Sequence, residues 1–185
     1  MPEQTDEEIA RLVQSGNFHS FGLLMERYQP KLLRYARKFV NDGEEAQDLV
    51  QEVFIKAYTN IKSFDADRRF SPWIYRIAHN EFINSLRKKS KQIVFPFDLD
   101  VLFPHPVSKE TADGDLNRQE LKDFLNSHLD KLNPKYREPL VLYYLEELDY
   151  KEIAEILEVP VSTVGVRLKR GRTMLKKLMK PIDKI

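Results

Sequence analysis

The stretch between residues 71 and 89 places side chains that can contact nucleic acid three and four positions apart. In a helix, one face of this stretch would carry Trp73, Arg76, Asn80, Asn84 and Arg87. Aromatic rings stack on bases, Asn and Arg hydrogen-bond to base edges, and basic side chains pair with phosphates. The opposite face is apolar, with Ile74, Ala78, Phe82 and Leu86. The pattern predicts a helix that binds nucleic acid on its polar face.

The loop before this helix, residues 60–70, has eleven residues with both charges and two phenylalanines. Such a loop is long enough to form a pocket for an unstacked base. An alternative for Trp73 is that its ring simply packs against this loop.

A second candidate lies between Tyr150 and Arg172, where two short amphipathic segments meet at Glu158-Val159-Pro160. Asp149 and Glu152 predict a capping box at the start of the first segment. The apolar face of the second segment carries Val161, Val164, Leu168, Leu175 and Leu178, with Gly171 where a close helix contact needs a small residue. Its opposite face carries Ser162, Val166, Lys169, Arg170 and Thr173, with Gly165 at the edge.

Charge separates this last segment from the residues before it. Residues 161–185 contain eight Lys and Arg and one acidic residue, whereas residues 116–160 contain six basic and ten acidic residues. Together with the capped helix and tight turn, this favours a helix-turn-helix whose second helix enters the major groove of DNA. A solvated basic face on a bundle helix is the alternative.

A third candidate is an acidic stripe formed by Glu44, Asp48 and Glu52, four residues apart. Consecutive helical turns hold these carboxylates too far apart to share one ion, and no histidine assists, so a metal site is not expected. A solvated face and a docking face for a basic partner both remain. The core face of the same segment carries Leu49, Val50, Val53, Phe54 and Ala57.

Composition excludes several classes of protein. There are no cysteines, which excludes a disulfide framework, a thiol nucleophile and a Cys-based zinc site. No apolar run approaches ~18 residues, and the first ten residues do not resemble a secretory signal. A cytoplasmic protein without membrane insertion and without a cofactor is expected.

Apolar residues recur at three and four almost everywhere, which predicts an all-α fold. Residues 91–115 are the exception, because they contain Pro96, Pro104 and Pro106 and no helical period. We therefore expect two small helical domains, residues 1–90 and 116–185, joined by an irregular linker over residues 91–115.

Local signals predict where individual helices begin and end. Thr5 and Glu8 form a capping box, and Gly16 ends the helix that follows. Two separate helical segments are expected over residues 18–28 and 30–40. Ser71 should cap a helix that starts at Pro72, and Asn133 one that starts at Pro134. This last helix should run to about Glu147, and Pro139 inside it should kink it or end its first turn.

Taken together, the motifs resemble bacterial RNA polymerase sigma factors of the extracytoplasmic-function group. EEAQDLVQEVFIKAY is similar to the family's helix that docks on the polymerase clamp. RRFSPWIYRIAHNEFINSLRKK is similar to its segment for melting and reading the −10 element. LNPKYREPLVLYYLEELDYKEIAEILEVPVSTVGVRLKRGR is similar to its −35-reading domain. The resemblance covers nearly the whole chain, and three motifs in this order are highly specific.

The resemblance implies a specificity subunit, not itself an enzyme, that directs core polymerase to promoters and starts DNA melting. It implies contacts with the −35 duplex by Ser162, Thr163, Val166, Arg167, Lys169, Arg170 and Arg172. It implies contacts with the −10 strand by Phe64, Arg69, Trp73, Arg76, Asn80, Asn84 and Arg87. It implies polymerase contacts by Asp48, Gln51, Glu52 and Phe54.

The implied partners are promoter DNA, the clamp of the largest polymerase subunit, the flap of the second-largest subunit, and an anti-sigma factor. The linker, with Asp98 and Asp100 among phenylalanines, resembles the segment that threads through the polymerase toward the RNA path. This chain departs from the family at Gly165, where a basic residue is common, and at Asn84, where Asp is common. These departures bear on which promoter is read.

Two other classes of function remain as alternatives. A transcription regulator would pair the helix-turn-helix with an N-terminal sensor, which has no need of the polar face from Trp73 to Arg87. A metal-dependent nuclease would use the acidic stripe defined above.

Overall fold

Helices form the architecture of this computed structural model, which describes residues 4–40, 42–89 and 128–179 and has no strand among them. The chain divides into two compact units, Met1–Val94 and Phe95–Ile185. The all-α prediction is confirmed. The predicted linker, residues 91–115, lies outside the described residues, as do its Asp98 and Asp100, so the domain boundaries stay predictions.

Unit 1 contains four α-helices and two short 3-10 turns among its described residues. They are α1 Asp6–Gln14, a turn Phe18–Ser20, α2 Phe21–Ala36, α3 Gly43–Asn60, a turn Ile61–Ser63, and α4 Phe70–Lys89. The predicted capping box of α1 is confirmed, because Thr5 Oγ1 accepts from the Glu8 amide and the Glu8 carboxylate accepts from the Thr5 amide. Gly16, at φ 103°, follows the end of α1 as predicted.

The prediction of two segments around Pro30 is wrong, because α2 runs unbroken through this proline. A proline inside a helix removes one backbone hydrogen bond and costs about 3 kcal/mol. Burial on one side of α2 offsets this cost, since Leu24, Tyr28, Leu32 and Tyr35 are all buried while Pro30 faces solvent. Tertiary packing therefore overrides the local signal.

Aromatic rings on α2 and α4 fill the core of unit 1. The Tyr35 ring lies 5.4 Å from those of Tyr75 and Phe82, and the Tyr28 ring lies 5.3 Å from that of Phe70, measured between centroids. These edge-on and tilted arrangements are the ones that aromatic pairs favour. The packing fixes the apolar face of α4, so its opposite face points outward.

Helix α4 begins at Phe70 and not, as predicted, at Pro72 with Ser71 as its cap. The Phe70 amide donates to the Glu7 carboxylate at 2.9 Å, so the first turn of α4 is capped from α1. A cap that comes from 63 positions away cannot be found from local sequence.

Unit 2 contains three α-helices among its described residues. They are α5 Pro134–Leu140, α6 Tyr150–Leu157 and α7 Val161–Met179, with a 3-10 turn Leu129–Lys131 before α5 and a π-helical turn Val141–Leu145 after it. Asn133 caps α5 by accepting from the Lys135 amide at 3.1 Å. The α-helix itself ends at Leu140, with Pro139 in its last turn. The helical backbone continues as a wide π-helical turn to Leu145, close to the predicted end at about Glu147.

The contact between α5 and α7 is closest at Gly171. A Cβ atom at this position would lie 2.8 Å from Leu140 Cδ1 and 3.3 Å from the carbonyl oxygen of Tyr136. Leu140 is fully buried and has little room to move. The prediction that a small residue is needed here is confirmed.

The predicted apolar face of α7 is buried at Val164, Leu168 and Leu175 but exposed at both ends, where Val161 is 44% and Leu178 is 41% exposed. The seven residues of α5 span about 10 Å, whereas the nineteen of α7 span about 28 Å. The ends of α7 therefore extend past this partner helix. None of the helices in the described parts of the chain is long and apolar enough to cross a membrane.

We expect Gly171→Ala to lower the free energy of unfolding by about 1 kcal/mol. Overpacking a buried contact costs about 1–3 kcal/mol, which exceeds the gain of up to ~1 kcal/mol in helix propensity. Gly22→Ala in α2 is the matched control, since its Cβ would meet nothing within 4 Å and it should stabilise the chain. Urea unfolding followed by circular dichroism measures both, and a Gly171→Ala variant as stable as the control would contradict the close contact.

Candidate DNA and polymerase interfaces

The turn between α6 and α7 is closed by the backbone. Glu158 adopts left-handed geometry at φ 53°, and the Val159 amide donates to the Ala154 carbonyl at 3.1 Å. The capping box that opens α6 is confirmed, because Asp149 Oδ1 accepts from the amides of Lys151 and Glu152, and Glu152 Oε2 accepts from the Asp149 amide. A short helix, a tight turn and a second helix give unit 2 a helix-turn-helix geometry.

The residues of α7 that were predicted to contact the duplex fall into an exposed group and a buried group. Lys169 is exposed, and partly exposed side chains belong to Ser162, Val166, Arg170 and Arg172. Thr163 is fully buried and Arg167 is only 8% exposed, so they lie on the packing side of α7. Their burial removes Thr163 and Arg167 from the set that can reach a groove. The outer face of α7 therefore consists of Ser162, Val166, Lys169, Arg170 and Thr173.

Arg172 lies at the border of this outer face, beside a cluster of tyrosines. Its Nη1 donates to the Tyr144 hydroxyl at 3.4 Å, and the Tyr143 ring packs against those of Tyr144 and Tyr150 at 4.8 and 5.4 Å. Burial raises the pKa of Tyr150, while the neighbouring Arg172 guanidinium opposes that rise. This cluster was not predicted, although adjacent tyrosines at 143 and 144 before a capped helix were a visible signal in the sequence.

Helix α3 has a polar outer face opposite its core residues. The side chains of Asp48, Gln51 and Glu52 are exposed, as predicted for a docking surface. Phe54, predicted to contact polymerase, is only 4% exposed and packs edge-on against Phe21. Ile55, which was not among the predicted contacts, is 49% exposed and lies on the same side of α3 as Asp48. No group of three potential metal ligands that could hold an ion occurs in residues 4–40, 42–89 and 128–179.

The polar face of α4 is exposed at Arg76, Asn80 and Asn84. These three side chains follow one another at intervals of four residues and so form a line along the helix. Arg87 continues this face in sequence, but its side chain lies outside the described residues. Arg69, in the loop before α4, is also exposed.

Trp73 lies at the start of this face and packs against the preceding loop. Its ring centroid is 5.2 Å from that of Phe64 and 5.4 Å from that of Phe70. Phe64 and Phe70 are buried, whereas Trp73 is half-buried. The buried Phe64 ring therefore packs against Trp73 and cannot itself contact a base in this conformation. Trp73, by contrast, still has exposed surface.

Comparison with protein families assigns both units. The family model for Sigma-70 region 2 matches residues 24–92, and that for Sigma-70, region 4 matches residues 127–175. The first match contains α3, the loop and α4, and the second contains the helix-turn-helix.

Individual relatives agree with this assignment over nearly the full chain. The extracytoplasmic-function (ECF) RNA polymerase sigma factor SigW of Bacillus subtilis is 37% identical over 178 residues, which are 92% of this chain and 94% of SigW. The RNA polymerase sigma-H factor of Pseudomonas aeruginosa is 32% identical over 191 residues, 98% of this chain and 97% of that protein.

A solved structure shows the same fold. It is the sigma factor RpoE in complex with the anti-sigma factor NepR from Bartonella quintana, with a TM-score of 0.65 and 26% identity over 89% of this chain and 98% of that chain. The helices, the two family matches and the relatives lead to one conclusion: the chain belongs to the extracytoplasmic-function group of bacterial RNA polymerase sigma factors.

Proposed function

We propose that the chain directs core RNA polymerase to specific promoters by holding duplex DNA with α7 and single-stranded DNA with α4. The observation that carries this proposal is that each family-matched region presents an outward polar face on one helix: Lys169 and Arg170 on α7, and Arg76, Asn80 and Asn84 on α4. Apolar burial on the opposite sides of both helices holds these faces outward.

The outer face of α7 suits the major groove of the −35 duplex. Ser162 and Val166 are small residues near the start of the helix, so the backbone can approach base edges. Val166 offers methyl groups to a thymine methyl, and Lys169 and Arg170 can reach guanine edges or phosphates. Arg172, held beside the tyrosine cluster, is better placed for the phosphate backbone than for base edges.

The outer face of α4 suits the non-template strand of the −10 element. Asn80 and Asn84 can hydrogen-bond base edges that are accessible only after the strands separate, and Arg76 and Arg69 can pair with phosphates. Trp73 is only half-buried, and contacts with Phe64 and Phe70 fix the orientation of its ring. A ring held in this way can stack on a base with little loss of side-chain freedom.

The outer face of α3 is the proposed contact with core polymerase. Asp48 and Glu52 supply negative charge and Gln51 supplies hydrogen bonds, while Ile55 adds an exposed apolar side chain to the same surface. The proposed partner surface is the clamp of the largest subunit, and the flap of the second-largest subunit would contact unit 2. The chain acts as a specificity subunit in the cytoplasm and carries out no catalysis itself.

An anti-sigma factor is the proposed inhibitor of the free protein. The support is the solved complex of the structurally similar RpoE with NepR. A masking partner of this kind would have to cover the outer face of α3 or the DNA-binding faces to prevent their use.

We expect Lys169→Ala to weaken binding of the holoenzyme to duplex promoter DNA. Loss of a guanine contact costs about 1–3 kcal/mol of binding free energy and relaxes the base preference at one position of the promoter. Loss of a phosphate contact instead weakens binding to all sequences and makes the slope of log affinity against log salt concentration shallower by about 1. Lys177→Ala, which removes the same charge near the other end of α7, is the matched control. Fluorescence anisotropy over a salt series distinguishes these results, and equal affinities of Lys169→Ala and the unaltered protein would contradict groove contact.

We expect the double change Asn80→Ala and Asn84→Ala to reduce open complexes while leaving the closed complex intact. Both side chains are exposed, so the free energy of unfolding should change by less than about half a kcal/mol. Permanganate reactivity of thymines near the −10 element measures opening, and a pre-melted bubble template should restore transcription.

Trp73→Ala provides a comparison for this prediction, because it removes both stacking and packing. Stacking of a base on an aromatic ring contributes about 1–3 kcal/mol, so opening should fall roughly tenfold or more. If Trp73→Ala is equally defective on the bubble template and unfolds more easily, Trp73 acts through packing against Phe64 alone.

We expect reversal of charge by Asp48→Lys and Glu52→Lys to reduce co-purification with core polymerase sharply. The free energy of unfolding should change by less than about half a kcal/mol, as is usual for substitutions at the surface. Each single reversal is also made, and Glu26→Lys, an exposed reversal on α2, is its control because it changes the net charge by the same amount. Normal assembly by the double variant would remove α3 from the polymerase interface.

A further inference from the structure

Helix α1 holds the loop between α3 and α4 by hydrogen bonds from one of its faces. Gln14 Nε2 donates to the carbonyl oxygens of Ile61 at 2.8 Å and Phe64 at 2.7 Å. One amide group thus joins the two ends of the loop segment that leads to the buried Phe64 ring.

Two further residues on the same face of α1 continue these contacts along the loop. Arg11 Nη2 donates to the Ala66 carbonyl oxygen at 2.9 Å and to Asp67 Oδ1 at 2.7 Å. Glu7 accepts from the Phe70 amide at 2.9 Å. Positions 7, 11 and 14 are four and three residues apart, so three successive turns of α1 contact the loop from its start to its end.

Hydrogen bonds within the loop account for part of its shape. The Phe64 amide donates to the Ile61 carbonyl, the Arg68 amide donates to the Asp65 carbonyl, and the Asp67 amide donates to the Asp65 side chain. Backbone carbonyls outside regular structure need partners. Helix α1 supplies donors to the carbonyls of Phe64 and Ala66 and a second donor to that of Ile61. The shape of the loop thus depends on side chains from another helix.

Helix α1 is itself fixed to the rest of unit 1. Its opposite face buries Ile9, Ala10 and Val13. At its first turn, Asp6 accepts from the Tyr28 hydroxyl at 2.6 Å and from Arg27 Nη1 at 2.7 Å. Burial, together with the hydrogen bond to Asp6, raises the pKa of Tyr28, so its hydroxyl remains a donor. The side chains that hold the loop thus extend from a rigid support.

We propose that Gln14 and Arg11 are positioning residues that hold residues 61–69 in the shape that receives an unstacked base of the −10 strand. This inference rests on the proposed function of α4 and its loop. Ordering a loop at the moment of binding costs conformational entropy, and a loop ordered beforehand avoids that cost. Neither residue needs to touch DNA for its loss to weaken binding.

Gln14→Glu is the sharpest test, because it keeps the size of the side chain but replaces the donor with a carboxylate. At neutral pH this carboxylate would face two carbonyl oxygens and repel both. Arg11→Ala removes the second contact, and Arg11→Lys should restore part of it, since an ammonium group can still donate to Asp67 or Ala66.

The matched control is Asp42→Ala, which removes the N-cap of α3 that accepts from the Glu44 amide at 2.8 Å. It weakens unit 1 at the far end of α3, about 27 Å from the loop along an eighteen-residue helix. A loss of stability alone should therefore appear in the control as well.

Two measurements on the full chain distinguish ordering of the loop from binding of DNA by the loop. Hydrogen exchange of the peptide covering residues 61–69 reports order without DNA. Affinity is measured by anisotropy with a labelled single-stranded decamer that the unaltered chain selects from a randomised pool. We expect Gln14→Glu to speed hydrogen exchange in this peptide and to lower the affinity for the decamer by about threefold to tenfold. Asp42→Ala should do neither, and Arg11→Lys should lie between Arg11→Ala and the unaltered chain.

Each other outcome overturns part of the inference. Unchanged exchange in Gln14→Glu would show that α1 does not order the loop. Faster exchange with unchanged affinity would show that loop order does not matter for binding. If the unaltered chain selects no decamer at all, the proposed function of α4 fails and the role in base capture falls with it, whatever the exchange shows.

Discussion

Each unit must bury an apolar core with few residues, and this constraint determines which helix faces remain for binding. Small domains bury a smaller fraction of their surface than large ones, so nearly every helix has to commit one full face to packing. In α4 the committed face carries Ile74, Ala78 and Phe82, and in α7 it carries Val164, Leu168 and Leu175. The faces that remain are narrow and straight. A narrow polar line along a rigid helix suits a strand or a groove of nucleic acid better than a globular ligand.

The sequence predicted the local features well because their causes are local. Both capping boxes, the end of α1 at Gly16 and the close contact at Gly171 follow from residues within one or two turns or from one face of one helix. The failures have distant causes. Pro30 stays helical because other helices cover the buried side of α2, and α4 starts early because Glu7 caps it from α1. No window of sequence around either position contains that information.

The same distinction explains the candidate sites. Lys169, Asn80 and Asp48 were identified correctly as exposed positions because helical periodicity alone places them opposite a core face. Phe54, Phe64 and Arg167 were selected by residue type or by family resemblance, and all three are buried. An aromatic or a long basic side chain can serve either a core or a surface. Only the neighbours decide which, and for Phe64 those neighbours include the backbone contacts made by Gln14.

The hydrogen bonds between α1 and the loop connect positions 47 to 63 residues apart. During synthesis α1 is complete well before the loop between α3 and α4, yet Gln14 and Arg11 have their partners only once that loop has been made. Contacts this distant in sequence require a large loop to close first, and they slow folding compared with contacts between neighbouring helices. The contacts of α1 with α2 are closer in sequence, since Asp6 accepts from Arg27 and Tyr28, 21 and 22 residues away. We therefore expect α1 to dock on α2 first and on the loop late in folding. The order of folding thus makes the loop between α3 and α4 the part of unit 1 that we expect to be most open to proteases in a partly folded chain.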